Sequence, residues 1–181
     1  QSHRKQCQST EQGITGLAVH PNGQAVFASC LDGTVRGFNP ETAAQTFSAN
    51  HSSPVHDLAL SSDGQVLLSG GENGVIRVWQ SSNGGAVAPQ QLTGFTGPVH
   101  AVAMTPDGTR VVGASTGETP EVLAFEFTGG AVAQKLTASQ AAVTDLVCLA
   151  GEVETQIFTV APSVGVRISQ IDAGKQMPGL S

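Results

Sequence analysis

The chain has 181 residues, 39% apolar and 12% charged, which is globular material with enough side chain for one ordinary core or two small ones. Its net charge of −6, with eight Lys and Arg in total, excludes the clustered basic footprint that a nucleic-acid backbone needs, and no stretch approaches the roughly 20 apolar residues of a membrane span. Three cysteines, Cys7, Cys30 and Cys148, stand at no metal-like spacing, so they exclude a disulfide framework and are expected as reduced thiols in an intracellular protein, with Cys30 and Cys148 buried in strands.

Residues 1–11 carry the one small basic group, His3-Arg4-Lys5, and are expected to be a linker or the outer strand of a preceding unit. The chain opens without Met, signal peptide or lipidation motif, which predicts a piece of something longer. Residues 12–50 hold LAVHPNGQAVFASCLDGTVRGF, short apolar runs punctuated by Asn22-Gly23 and Asp32-Gly33. Asn-Gly and Asp-Gly supply the positive φ of tight hairpin turns, and runs of about five to seven residues are strand-sized. A looser run, Gln45-Thr46-Phe47, follows. Residues 51–95 repeat the arrangement with Asp63-Gly64, Asn73-Gly74, the only tryptophan (Trp79) and Gln90-Gln91-Leu92. SSNGGAVAPQQ between the last two reads as a flexible surface loop. Residues 96–140 keep Asp107-Gly108, lengthen the next turn to Ser115–Glu121, place Phe125 at the tryptophan position and end on Gln134-Lys135-Leu136. Residues 141–181 retain Val143 to Leu149 and Gly165-Val166-Arg167-Ile168 without the Asp-Gly turns.

These segments are copies of one unit. A shift of 41 residues lays Asp63-Gly64 on Asn22-Gly23 and Trp79 on Phe38; a shift of 44 lays Val55-His56 on Val99-His100, and a further 44 takes Val99 to Val143. The sequence therefore predicts four tandem units, the last degenerate, each a small sheet of four antiparallel strands with no helix. Such a sheet cannot bury both faces alone, whereas face-to-face stacking of successive sheets buries them.

At this point the sequence resembles the WD40 β-propeller family, best in HSSPVHDLALSSDGQVLLSGGENGVIRVW. The resemblance implies an all-β fold of four-stranded blades and, with four units against the family's usual seven, a partial propeller completed by further chain or by a partner. It also implies a bracing tetrad, which falls by position on His51, Ser69, Asn73 and Trp79. Asn73 stands where the family has Asp, so it accepts a bond but brings no charge. The first unit has Thr10, Ala28, Asp32 and Phe38 at those places; the third has Phe95 and the fourth Ser139 in place of the histidine. Finally, the resemblance implies that residues flanking the first Val of the inner strand, and the residue before the tetrad acid, face the end of the propeller that meets partners. Here these are Thr15 and Leu31, then Pro54, His56 and Glu72, then Pro98 and His100, and then Ala142 and Thr144.

Few residues suggest chemistry. His56 and His100 occupy equivalent positions, and a histidine pair invites a metal reading, but no Cys or carboxylate stands beside them at ligand spacing in the sequence. Asn22, Asp63 and Asp107 each precede Gly and read as turn residues rather than as acid–base groups. No Gly-x-Ser-x-Gly elbow is present, and Gly70-Gly71 and Gly84-Gly85 lack the Lys and the helix of a phosphate loop. The sequence thus predicts a non-catalytic scaffold for other proteins of an intracellular multisubunit assembly, cytoplasmic and by analogy cytoskeletal or ciliary, without metal, cofactor or nucleic-acid partner. The alternative is an enzyme of a related propeller class, lactonase-like or quinoprotein-like, whose repeats AVAMTPDGTRVVGAS and LAVHPNGQAVFASC also resemble.

Overall fold

The computed structural model describes residues 13–82, 90–136, 142–150, 155–162 and 165–171, and these are strands and turns without a helix. The first sheet pairs β1 (Ile14–Val19), β2 (Val26–Cys30), β3 (Thr34–Phe38) and β4 (Gln45–Asn50) in chain order. The second pairs β5 (Val55–Leu60), β6 (Val66–Gly71), β7 (Ile76–Gln80) and β8 (Gln90–Leu92) in the same way. The third contains β9 (Val99–Met104), β10 (Arg110–Ser115), β11 (Val122–Glu126) and β12 (Val132–Leu136). The fourth sheet has three strands among the described residues, β13 (Asp145–Ala150), β14 (Thr155–Ala161) and β15 (Gly165–Ile171). Every neighbouring pair is antiparallel. The segment expected before the first sheet, residues 1–11, lies outside the described residues, as do Cys7, Ser139 and 83–89 of the loop between β7 and β8.

The turns form where the sequence places short polar side chains before Gly. Asn22, Asp63 and Asp107 each accept the N–H two residues on, from Gln24, Gln65 and Thr109, while the glycines between them take φ of +73°, +76° and +71°. This Asx geometry reverses the chain between the first and second strand of each of these three sheets. Asp32-Gly33 and Asn73-Gly74 do the same at the opposite end, with φ of +83° and +72° at the glycines.

Packing follows from the need to cover both faces of each sheet. Between the first and second sheets lie Phe27, Val35, Phe47, Val55, Leu67 and Trp79; between the second and third, Leu68, Ile76, Leu92, Val102, Val111 and Phe125; between the third and fourth, Val112, Val122, Val143, Leu146 and Ile157. The inner strands β1, β5, β9 and β13 each contact the next. Four sheets stacked this way form an arc of a propeller that does not close. The outward faces of the arc stay apolar and uncovered: Leu17 on β1 is 66% exposed and Ile168 on β15 is 63% exposed.

One glycine fixes the packing inside the first sheet. Gly37 on β3 stands between Phe27 on β2 and Phe47 on β4, and the two rings meet over it edge to face with centroids 5.4 Å apart. A Cβ on residue 37 would lie 2.7 Å from Phe47 Cβ and 2.9 Å from Phe27 Cε1, and the first of these atoms is tied to the backbone. We expect Gly37→Ala to destabilise the chain by about 1–3 kcal/mol through overpacking. Chemical denaturation checks this, and an unchanged midpoint would show that the aromatic pair does not close over this position.

Candidate functional site

The segment joining β4 to β5 carries His51, which is fully buried. Trp79 Nε1–H donates to Ser69 Oγ at 2.8 Å, Ser69 Oγ lies 2.8 Å from His51 Nδ1, and His51 Nε2 lies 3.4 Å from Asn73 Oδ1. Indole only donates and an amide oxygen only accepts, so one polarity satisfies the whole row: Trp79 to Ser69, Ser69 to His51 Nδ1, and His51 Nε2–H to Asn73. The row ties the entry of β5 to β6, β7 and the turn between them. Burial, then the Arg77 guanidinium, lowers the His51 pKa to about 4. At neutral pH the ring is therefore uncharged, as suits a neutral amide partner at residue 73. In the first sheet the equivalent Asp32 instead accepts from Thr34 N–H and pairs with Arg36 at 2.9 Å. In the third, Glu121 accepts from Thr96 N–H and from Lys135 Nζ.

The end of the arc next to this brace is shaped by a recurring irregularity. In the first three sheets the register shifts where the inner strand begins: between Ile14 and Gly16, between Val55 and Asp57, and opposite Ala114 and Ser115, where Val99 and Ala101 are the partners. The extra residue in each case is Thr15, His56 or His100. A bulge re-aims the side chain of its extra residue. Beside each bulge one backbone bond repeats: Leu31 N–H donates to Gly13 O, Glu72 N–H to Pro54 O and Thr116 N–H to Pro98 O, at 3.0, 2.9 and 2.9 Å. That bond sets the turn after the second strand against the start of the first.

The consequence is a cluster. His56 Nε2 lies 2.6 Å from Glu72 Oε2, and the His56 and His100 rings stack with centroids 4.0 Å apart and planes 14° apart. The expectation that no carboxylate stands beside the two histidines is thereby corrected: Glu72 is 16 residues away in sequence, but the bulge at His56 turns the ring toward the turn that carries it. Burial, then the field of His56, lowers the His100 pKa, with Glu72 acting the other way. Pro54 is exposed and Pro98 half-buried at the same end. Thr15 donates to Val55 O at 2.7 Å, linking the first two sheets, and Leu31 is 41% exposed. The fourth sheet departs: β13 and β14 pair without a shift, Thr144 N–H donates to Val160 O, and Ala142 is half-buried just before Val143.

Two residues at the inner strands escaped the sequence reading. Thr116 is the third-sheet equivalent of Glu72, hidden because the longer turn that follows it breaks the register. Asp57, on β5, accepts Val102 N–H of β9 at 2.9 Å, and burial raises its pKa. It ties the second sheet to the third, and its signal was available: it is the one charged residue inside an inner strand of the first three units. Among the described cysteines, Cys30 and Cys148 are buried free thiols, and burial pushes Cys148 up to about 12.

The fold and the brace together define a class, a propeller built from WD-type blades. The model of the WD domain, G-beta repeat, matches residues 2–39 and 42–80, and the chain belongs to the WD40-repeat family. It is similar to transducin beta-like protein 3 of Rattus norvegicus, at 30% identity over 141 residues, covering 77% of this chain and 17% of that protein. It is also similar to U3 small nucleolar RNA-interacting protein 2 of Mus musculus (34% over 102 residues; 50% of this chain, 20% of that protein). Similarity to cilia- and flagella-associated protein 52 of Homo sapiens is 32% over 83 residues, 44% of this chain and 13% of that protein. The chain thus spans about a fifth or less of these relatives. Among solved structures, the RRP9 WD40 repeats share the fold with a TM-score of 0.74 at 22% identity, covering 92% of this chain and 55% of that one. The computationally designed Ika4 protein does so with 0.72 at 21% identity, covering 92% and 96%.

The brace makes a prediction with two parts. His51→Ala leaves the Ser69 hydroxyl without its ring partner and is expected to cost about 1–3 kcal/mol. The lowered His51 pKa means that the unfolded chain binds the extra proton first. Stability should therefore fall as pH drops from about 6.5 to about 4 and level off below, by up to about 3 kcal/mol. Asp63, Asp107 and Glu121, whose pKa values are lowered, act in the same direction further down the scale. Melting midpoints across this range should slope in the parent chain and be flatter in His51→Ala. Equal slopes would contradict a neutral, buried His51.

Proposed function

We propose that the chain is a non-catalytic arc of a WD40 propeller that holds other proteins in an intracellular multisubunit assembly, and that it meets them through the bulged end of its blades. The observation that carries this reading is the convergence of Pro54, His56, Glu72, Pro98 and His100, from two neighbouring blades, at one end. Most of the described acids elsewhere are committed to turns, to braces or to ties between sheets. A rigid stack of sheets presenting such an end suits partner recognition, because end residues can vary without disturbing the cores. His51, Ser69, Asn73 and Trp79 serve this role indirectly by fixing the turn that bears Glu72.

The two uncovered faces of the arc, at Leu17 and Ile168, are surfaces for further blades, supplied by more chain or by a partner. A nucleolar RNA-interacting protein and a cilia- and flagella-associated protein stand among the relatives, and either kind of assembly is compatible with this scaffold. The acidic charge of the chain favours proteins over nucleic acid as its direct contacts. No helix of the described residues is long and apolar enough to cross a membrane.

Site-specific photo-crosslinking separates the two ends of the blades. A photoreactive side chain at residue 72 should capture discrete protein partners in cells, and one at residue 107, in the turn at the opposite end, should not. Equal capture at both positions, or capture of RNA at residue 72, would overturn the reading.

A further inference from the structure

We propose that His56, His100 and Glu72 form a Zn²⁺ site at the end of the second and third blades. This inference stands apart from the scaffold reading and rests on the geometry of the three side chains alone. One ligand atom from each residue can be drawn so that all lie within 4.8 Å of one another. Two imidazoles and a carboxylate are the donor set that zinc takes in open sites, with three protein ligands and a fourth position left for water.

The distances show what would have to move. Zinc held at about 2.0–2.1 Å from nitrogen and about 2.0–2.2 Å from oxygen keeps tetrahedral donors about 3.3 Å apart. His56 Nε2 and Glu72 Oε2, now 2.6 Å apart around a shared proton, would open by a few tenths of an ångström as the ion takes the proton's place. The His100 ring would leave its parallel stack and swing its nitrogen inward, since two coplanar rings cannot both aim lone pairs at one ion. Each shift is a side-chain rotation. Both histidines are half-buried, and Glu72, whose side chain is 52% exposed, is free to follow the ion.

The backbone around the cluster is better fixed than its side chains. Both histidines are extra residues of bulges, held by strands on both sides, and Glu72 N–H is bonded to Pro54 O. The site therefore arrives with its three Cα positions set by the packing of two blades. It would tie those blades together at their inner end, as Asp57 does by accepting Val102 N–H.

The test is a Zn²⁺ titration of the full 181-residue chain against a competing chromophoric chelator. It is run in a His3→Ala, Cys7→Ser background so that the amino-terminal donors do not compete. One Zn²⁺ per chain is expected, with affinity falling at least about tenfold in each of His56→Ala, His100→Ala and Glu72→Gln, and unchanged in His20→Ala. Zn²⁺ should also raise the melting midpoint of the parent background and leave that of His100→Ala unmoved, which separates lost binding from lost folding. Absence of stoichiometric binding, or binding retained when all three residues are replaced together, would overturn the site.

Discussion

The structure depends on one constraint: a small antiparallel sheet has two faces, and neither can be left to water without cost. Each blade of this chain solves the problem by lending its faces to its neighbours. Three cores result, one per junction, and they are built from alternating residues of the strands they join. Val55 packs toward the first sheet while Val99 packs toward the second, because each starts an inner strand that leans against the blade before it. Four blades make three such junctions and leave two faces over. Leu17, Val19, Val166 and Ile168 are the visible remainder.

Stacking also decides what the ends of the blades can do. Inner strands of adjacent blades run side by side, so residues at equivalent positions become neighbours across a junction. The stacked rings of His56 and His100 follow directly from that placement, and so does the bond from Thr15 to Val55 O. The bulge is what points these side chains toward the end of the arc instead of into a core. A repeat with unbroken register, as in β13 and β14, places Thr144 differently. The same end is stiffened in the second blade by the buried row from Trp79 to Asn73, which holds the turn ahead of Glu72's partner ring.

Much of this was legible from the residues. Asn-Gly and Asp-Gly at constant offsets mark turns because their backbone preference is local, and the strands between them follow from the apolar runs. His51, Ser69 and Trp79 could be aligned by position, since the blade geometry repeats. What could not be read was the meeting of His56 with Glu72, because it depends on a one-residue register shift that no local pattern announces. The tie from Asp57 to Val102 N–H spans 45 residues and two blades, and its partner is backbone, which carries no sequence signature. The third-blade position of Thr116 was obscured for a related reason: the longer turn to Glu121 displaces everything after it.

Hydrogen exchange of the isolated 181-residue chain, resolved by strand, tests the central claim most directly. Strands β6 and β10 belong to sheets covered on both faces, whereas β2 and β14 belong to sheets covered on one. If the chain is an open arc, the amides of β6 and β10 should exchange at least about tenfold more slowly than those of β2 and β14. Equal protection across all four strands would contradict an arc with two uncovered faces.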